Sequence, residues 1–206
     1  MTTPFAEQSP LPLRIQPATL TDVLTITRLH RMVLGYTLNA ELGDAHMQRL
    51  YRGLLRSAHG VVMAAHLEDE LIGFVSGTDE GARLQQDLIR TPGTRILLSL
   101  LLGLLHRPWL IGKLLTQLMV NRPLIYQNEI VRAELLTLGV HPRWSRRGIG
   151  GQLARAFSKE LRRRGVKYFH LNTMSTNTHA RAFYQNMGGK LWRSYRGNDI
   201  YLFVLD

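Results

Sequence analysis

The run Val140-His141-Pro142-Arg143-Trp144-Ser145-Arg146-Arg147-Gly148-Ile149-Gly150-Gly151 constrains this chain more than any other stretch. It reads as the end of a strand, a basic turn, and a helix opened by glycines. Glycine lets backbone approach an anion with no Cβ in the way, and the first turn of a helix presents unpaired N–H groups at the positive end of its dipole. Arg146 and Arg147 add charge at the same point, so Arg146, Arg147, Gly148, Ile149, Gly150 and Gly151 form a candidate cradle for a diphosphate. The competing reading is plain turn chemistry, because a Gly-x-Gly alone is a weak signal. A Walker loop is excluded by the missing Gly-Lys-Ser/Thr ending, and a dinucleotide fingerprint by the missing third glycine and by the lack of a βαβ unit opening the chain.

The segments around this run supply an α/β fold. Leu13 to Gln16 reads as a strand, followed by a helix capped at Thr19 or Thr21 with Val23, Ile26, Leu29 and Val33 at helical spacing. A second helix is predicted from Asn39 to Ala58, and Val61 to His66 with Leu71 to Thr78 read as a hairpin. Glu134 to Val140 is a strand, Gly148 to Arg164 a helix and Tyr168 to Thr173 a strand. Asn177 to Met187 is a helix, and Leu191 to Tyr195 with Ile200 to Val204 close the chain as a hairpin across Arg196-Gly197-Asn198-Asp199. The long helix carries Ile149, Leu153, Ala156, Phe157 and Leu161 on one face. Its terminal Arg162, Arg163 and Arg164 fit helix termination better than ligand binding.

Between Asp79 and Asn128 the character changes. Leucine-rich segments punctuated by Pro92-Gly93, Pro108 and Pro123 predict three short helices inserted between the third and fourth strands, over about residues 80–128. The apolar run Ile96 to Leu105 falls short of the roughly 20 residues needed to cross a bilayer. With Arg95, Arg107, Lys113 and Arg122 nearby, this insertion is a candidate membrane-surface contact, acyl or acceptor pocket wall, or homodimer contact, against the plainer reading of a helical subdomain packed on the sheet. Residues 1–12 read as a flexible lead-in without a signal-peptide core, which leaves cytoplasmic residence as the default, and 13–206 as a single domain.

The chain has no cysteine among its 206 residues, which excludes disulfides, thiolate metal sites and a cysteine nucleophile. No His or acidic spacing suggests a metal site, and none is expected. The net charge of +11 favours an anionic ligand or surface. Nucleic acid ranks low among these because the arginines are not interleaved with aromatics as a stacking platform requires.

A second pattern lies downstream: Asn177-Thr178-His179-Ala180-Arg181-Ala182-Phe183-Tyr184-Gln185-Asn186-Met187-Gly188-Gly189. Asn177 can cap this helix and Gly188 or Gly189 can end it. Taken with the glycine loop one helix and one strand upstream, the sequence from about Ala133 onward resembles the GNAT superfamily of N-acetyltransferases. The family's helix pattern, Asn-x-x-Ala-x-x-Phe-Tyr-x-x-x-Gly, falls on Asn177, Ala180, Phe183, Tyr184 and Gly188. Its loop pattern, Arg or Gln, two residues, Gly, one residue, Gly or Ala, falls on Ser145 to Gly150, with Ser145 departing from the usual first residue.

The resemblance implies a mixed, mostly antiparallel sheet flanked by helices. It implies acetyl-CoA or another acyl-CoA as co-substrate, held by backbone of Leu138 to Val140, by the loop and by Asn177. It implies Tyr184 as the acid that protonates the departing thiolate. Glu134, at the entry to the strand before the loop, is the candidate base for an amine acceptor that is protonated at neutral pH, and is similar in place to the glutamate some members use. A strand-end carboxylate paired with a nearby cation is the competing reading for Glu134. The acceptor is expected to be an amine-bearing small molecule or peptide. A long-chain N-acyltransferase using the apolar insertion, and a non-catalytic acyl-CoA or nucleic-acid binder, remain as alternatives.

Overall fold

The computed structural model describes residues 13–90, 96–120 and 124–205, with the side chains of 117–120 left out. The expected lead-in 1–12, the Pro92-Gly93 and Pro123 breaks, and Arg95 and Arg122 lie outside the described residues.

Seven strands form one sheet. β1 (Leu13–Pro17) pairs antiparallel with β2 (Gly60–Leu67), which forms a hairpin with β3 (Glu70–Thr78). β3 runs antiparallel to β6 (Ala133–Val140), and β6 meets β7 (Tyr168–Met174) in the single parallel contact. The edge is the antiparallel set β7, β9 (Asn198–Val204), β8 (Lys190–Tyr195). The sheet order is β1-β2-β3-β6-β7-β9-β8, the mixed and mostly antiparallel arrangement expected.

Alternation along the strands buries both faces. One face carries Val75, Leu135, Phe169, Leu171, Tyr201 and Phe203 against α7 (Ile149–Arg163). There the helix stripe is Ile149, Leu153, Ala154, Phe157 and Leu161. Ala154 is buried where Ala156 was expected, and Ala156 is only half-buried. On the other face α1 (Val23–Leu34) and α3 (Asp44–Arg56) cover β2 and β3 through Ile26, Tyr51, Leu54, Ala64 and Phe74. Thr19 caps the 3-10 turn Leu20–Asp22 that leads into α1, with Asp22 accepting from the Thr19 backbone at 2.7 Å.

Two expectations need correction. The single helix from Asn39 to Ala58 is two, α2 (Leu38–Glu41) and α3, because Gly43 turns the chain with φ +100°, a conformation open to glycine. The segment 80–128 is not wholly helical. After α4 (Gly81–Arg90), α5 (Ile96–His106) and α6 (Leu110–Val120), the chain forms a hairpin of β4 (Leu124–Tyr126) and β5 (Glu129–Val131). Its turn residues Gln127 and Asn128 both have positive φ, the backbone of a two-residue hairpin loop. Leu124 and Val131 pack on Ile200 and Leu202, so this hairpin covers the β7–β9 part of the sheet. The closing turn is likewise shorter than expected: Arg196 and Gly197 alone, again both at positive φ.

Candidate functional site

The site begins where the sheet opens. β6 is paired with β3 along its length, yet it meets β7 only at Ala133↔Phe169 and Glu134↔His170. Beyond Glu134 the two strands diverge, so among the described residues the β7-facing edge of β6 from Leu135 to Val140 has no strand partner. A bulge accompanies the divergence: Gly77 pairs with Leu135 and Ser76 with Thr137, leaving Leu136 as the extra residue. The extra residue inverts the side-chain alternation. Leu135, Leu138 and Val140 thereby all face the α7 side, while Glu134, Thr137 and Gly139 face α1 and α3.

The loop leaves this open edge directly. His141 continues β6 by donating its N–H to the Ile72 carbonyl at 2.8 Å, and its Nδ1 accepts from the Arg143 N–H at 3.2 Å, capping the 3-10 turn Pro142–Trp144. The Ser145 hydroxyl donates to the Pro142 carbonyl at 2.9 Å, a local turn bond that absorbs its polar group. Arg146 and Gly148 adopt left-handed backbone, φ +60° and +77°, and Gly148 caps α7 with no side chain over the first-turn N–H groups. A Cβ on Gly150 would lie 3.6 Å from both Leu138 Cδ2 and Phe183 Cε2, so the loop sits between the end of β6 and the next helix. Arg146 and Arg147 are exposed and, among the described residues, make no ion pair; the Arg147 guanidinium lies 5.0 Å over the Trp144 ring.

That next helix is α8 (Thr178–Asn186), capped by Asn177, whose Oδ1 accepts from the Ala180 N–H at 3.0 Å. Gly188, φ +89°, ends it. Tyr184 packs into the α7-side core beside Tyr201, ring centroids 6.1 Å apart. Burial, with the Tyr36 phenol nearby, pushes its hydroxyl up to about 12, so it holds its proton at neutral pH. α8 is fixed at its base by Asp199, only 2% exposed, which accepts from Ser175 Oγ at 2.6 Å and Ser194 Oγ at 2.8 Å and pairs with Arg181 Nε at 2.8 Å.

Glu134 stands at the root of the divergence, beside His170. It makes no hydrogen bond or ion pair among the described residues, and burial pushes its carboxyl up to about 7. The nearest cation in sequence, Arg132, is engaged by Glu80 at 3.0 Å. Burial lowers His170, whose Nδ1–H donates to the Ala133 carbonyl at 3.0 Å and holds the strands together at their last contact. The terminal arginines of α7 behave as helix-end residues: Arg164 pairs with Glu160 and Asp79, each at 2.8 Å, and donates to the Ala58 and Gly60 carbonyls.

Contacts of Gly150 with Leu138 and Phe183 bring the end of β6 (Leu138, Val140), the loop of Arg146 to Gly151 and the Asn177-capped helix that carries Tyr184 together, while Glu134 sits at the root of β6 on the opposite face of the sheet. Sequence reasoning missed the supports: the Asp199 set, Tyr36, and a buried chain running from Thr37 through His30 and Tyr51 to Thr137 and Ser76. In that chain His30 Nδ1 lies 2.6 Å from the Tyr51 hydroxyl and its Nε2 lies 3.0 Å from Thr37 Oγ1. Only the burial-prone spacing of His30 and Tyr51 on their helices could have flagged it. Among the described residues no three His, Asp or Glu cluster as a metal site would need.

Residues 121–188 match the Acetyltransferase (GNAT) family. The whole chain is similar in fold to a PaiA N-acetyltransferase from Thermoplasma acidophilum, solved with coenzyme A, at 16% identity and TM-score 0.60, covering 94% of this chain and 99% of that one. It is similar to the ribosomal-protein-S18-alanine N-acetyltransferase from Escherichia coli, at 13% identity and TM-score 0.58, covering 94% of each chain. Arabidopsis thaliana NAA60, solved with a bisubstrate analogue, shares 17% identity at TM-score 0.57, covering 95% of this chain and all 100% of that one. Comparison with curated proteins returns no match.

Proposed function

We propose that this chain, which matches the GNAT family over residues 121–188 and is similar in fold to solved N-acetyltransferases, is an N-acyltransferase that moves an acetyl or other acyl group from acyl-CoA to a primary amine. The observation that carries the reading is the two-residue β6–β7 contact followed at once by an unpaired strand edge and a glycine-opened helix. An unpaired edge offers alternating N–H and C=O groups to an extended amide-bearing chain, as in strand addition. The pantetheine arm of acyl-CoA is such a chain. Leu138 and Val140 would hold it, and the N–H groups from Gly148 to Gly151, with Arg146 and Arg147, would take its pyrophosphate.

The chain's own groups fit direct transfer. An amine with a pKa near 10 arrives protonated, and a carboxyl poised at about 7 can take that proton through water or directly, which supports Glu134 as base. The freed nitrogen forms the amide bond to the thioester carbon as the C–S bond breaks, and a backbone N–H near Val140 polarises the carbonyl. Sulfur leaves as thiolate and takes the proton of Tyr184, a phenol protonated at working pH, and the second proton that the nitrogen sheds on becoming an amide restores that phenol through water. Both substrates are bound at once, and no acyl-enzyme is needed. Asn177 contributes its side-chain amide N–H to the cofactor side, since its carbonyl oxygen is engaged by the helix cap.

Titration calorimetry with acetyl-CoA tests the premise: stoichiometric binding is expected, and its absence overturns the function. Tyr184→Phe, which keeps the ring packing, is expected to lower kcat about 10³-fold, measured as thiol release, with acetyl-CoA binding retained. Unchanged turnover would remove the phenol from the chemistry. Thiol release across a panel of small amines and peptide N-termini would then define the acceptor, and equal-concentration assays with acetyl, octanoyl and palmitoyl donors would define the acyl chain.

A further inference from the structure

The 41 residues from Leu88 to Asn128 contain no aspartate or glutamate, while they hold Arg90, Arg95, Arg107, Lys113 and Arg122. Within that segment α5 is apolar around its whole circumference, a composition that ordinarily marks a helix covered on every side. Here only one side is covered. Ser99 bonds to His46 of α3 at 2.9 Å, and Gly103 lies against Leu42, where a Cβ would come 2.5 Å from Cδ2. The opposite side exposes Leu97, Leu98, Leu101, Leu102 and Leu105, the last at 76%. At 100° per residue these five fall within an arc of about 140°. Trp109, in the connection to α6, is 67% exposed beside Arg107, and α6 continues the apolar surface with Ile111 and Leu115.

We infer that this face docks on an anionic lipid surface. A row of leucines ending in an exposed tryptophan, in a segment that carries arginine and lysine and no carboxylate of its own, matches the composition by which a helix lies in a membrane interface. The same charge argues against the other simple occupant. An isologous contact with a second copy would set this acid-free, cationic segment against itself, whereas phosphate headgroups neutralise it. Among the described residues no helix is long and apolar enough to cross a membrane, so the contact is one of lying on the surface. Lys113 of α6 reaches back to Glu41 at 2.6 Å and to the Tyr36 carbonyl at 3.3 Å, which ties α6 to the chain between α1 and α3.

Sedimentation of the full chain with vesicles tests it. Binding to phosphatidylcholine vesicles containing phosphatidylglycerol is expected, with at least about tenfold weaker partition onto phosphatidylcholine alone and a steady loss as salt rises. Leu105→Glu, at the most exposed leucine of the face (76%), is expected to weaken partition by at least about tenfold while leaving circular dichroism and acetyl-CoA calorimetry unchanged. Equal partition onto both vesicle types, or none onto either, overturns the inference. A dimer in solution that Leu105→Glu dissociates, without vesicle binding by the parent chain, assigns the face to a second copy instead. Calorimetry with acetyl-CoA reads the proposed function separately, so failure of one is distinguishable from failure of the other.

Discussion

Glu134 and Asp199 are both sheet carboxylates, the first half-buried and the second fully buried, and their surroundings drive them in opposite directions. Asp199 has two serine hydroxyls and a guanidinium aimed at it, and these hold its carboxyl below the usual range, led by the bond from Ser175. Glu134 has none of these, and burial alone raises it to about 7. A buried carboxylate held by donors and a cation is a structural tie, costly to disturb. A half-buried one with no such donor is a group whose protonation can change in the range where an enzyme works. The two lie at opposite ends of β7: Glu134 beside His170 at its start, Asp199 opposite Thr173 near its end, where α8 departs. One end carries the carboxyl proposed as base and the other holds the helix that carries Tyr184.

The sharpest way to break this contrast is to remove the tie. Asp199→Ala leaves Ser175, Ser194 and Arg181 facing a cavity without an acceptor, and is expected to cost about 3 kcal/mol in denaturant unfolding. In the parent chain the sign follows from a depressed carboxyl. Its stabilisation is complete above the unfolded value, near 3.9, and is lost as pH falls through the lower folded value. The Ala variant should therefore lose most at neutral pH and converge on the parent in strong acid. A variant as stable as the parent at pH 7 would reduce the Asp199 cluster to decoration.

Glu134→Gln is expected to do the reverse to stability and to damage turnover instead. Thiol release should fall about 10²-fold, and the rise of kcat with pH through about 7 should disappear. The parent carboxyl is raised, so its contribution to stability is present below the unfolded value and is lost as pH climbs from there through about 7. Gln carries no charge to bury, and the variant should thus match the parent at pH 4 and exceed it at pH 8. A pH profile unchanged by the substitution would assign the acceptor's proton to another group or to water.

How much of this contrast was legible beforehand depends on the range of the interactions. Periodicity places α1, α7, α8 and the sheet strands, and local chemistry places Asn177, Gly148 and Gly188 at helix ends, because each signal is contained within a few residues. Gly43 breaks a helix that looks continuous, since a single glycine inside an amphipathic pattern does not declare itself as a turn. The β4–β5 hairpin is hidden by three-residue strands too short to show alternation. Glu134 could be located but its isolation could not be read, because Arg132, the obvious partner nearby, turns instead to Glu80, distant in sequence. The ties from Asp199 to Ser175 and Arg181 close only once β9 lies against β7.

The smallest expected effect concerns the loop that follows β6, at the end of the strand away from Glu134. At Gly148 a Cβ would meet nothing within 4 Å, so Gly148→Ala isolates the cost of left-handed backbone at φ +77° from any steric clash. That cost is about 1 kcal/mol for an L-residue. If the loop keeps its shape, the penalty appears in thermal unfolding and acetyl-CoA affinity is unchanged. If the chain relieves the strain by moving the α7 N-terminus, stability is largely spared and calorimetry records weaker binding, about fivefold for the same free energy. Neither result should alter the pH dependence of turnover, since no titrating group moves. A changed pH profile in this variant would mean that the anion cradle and the Glu134 end of the site are coupled through β6.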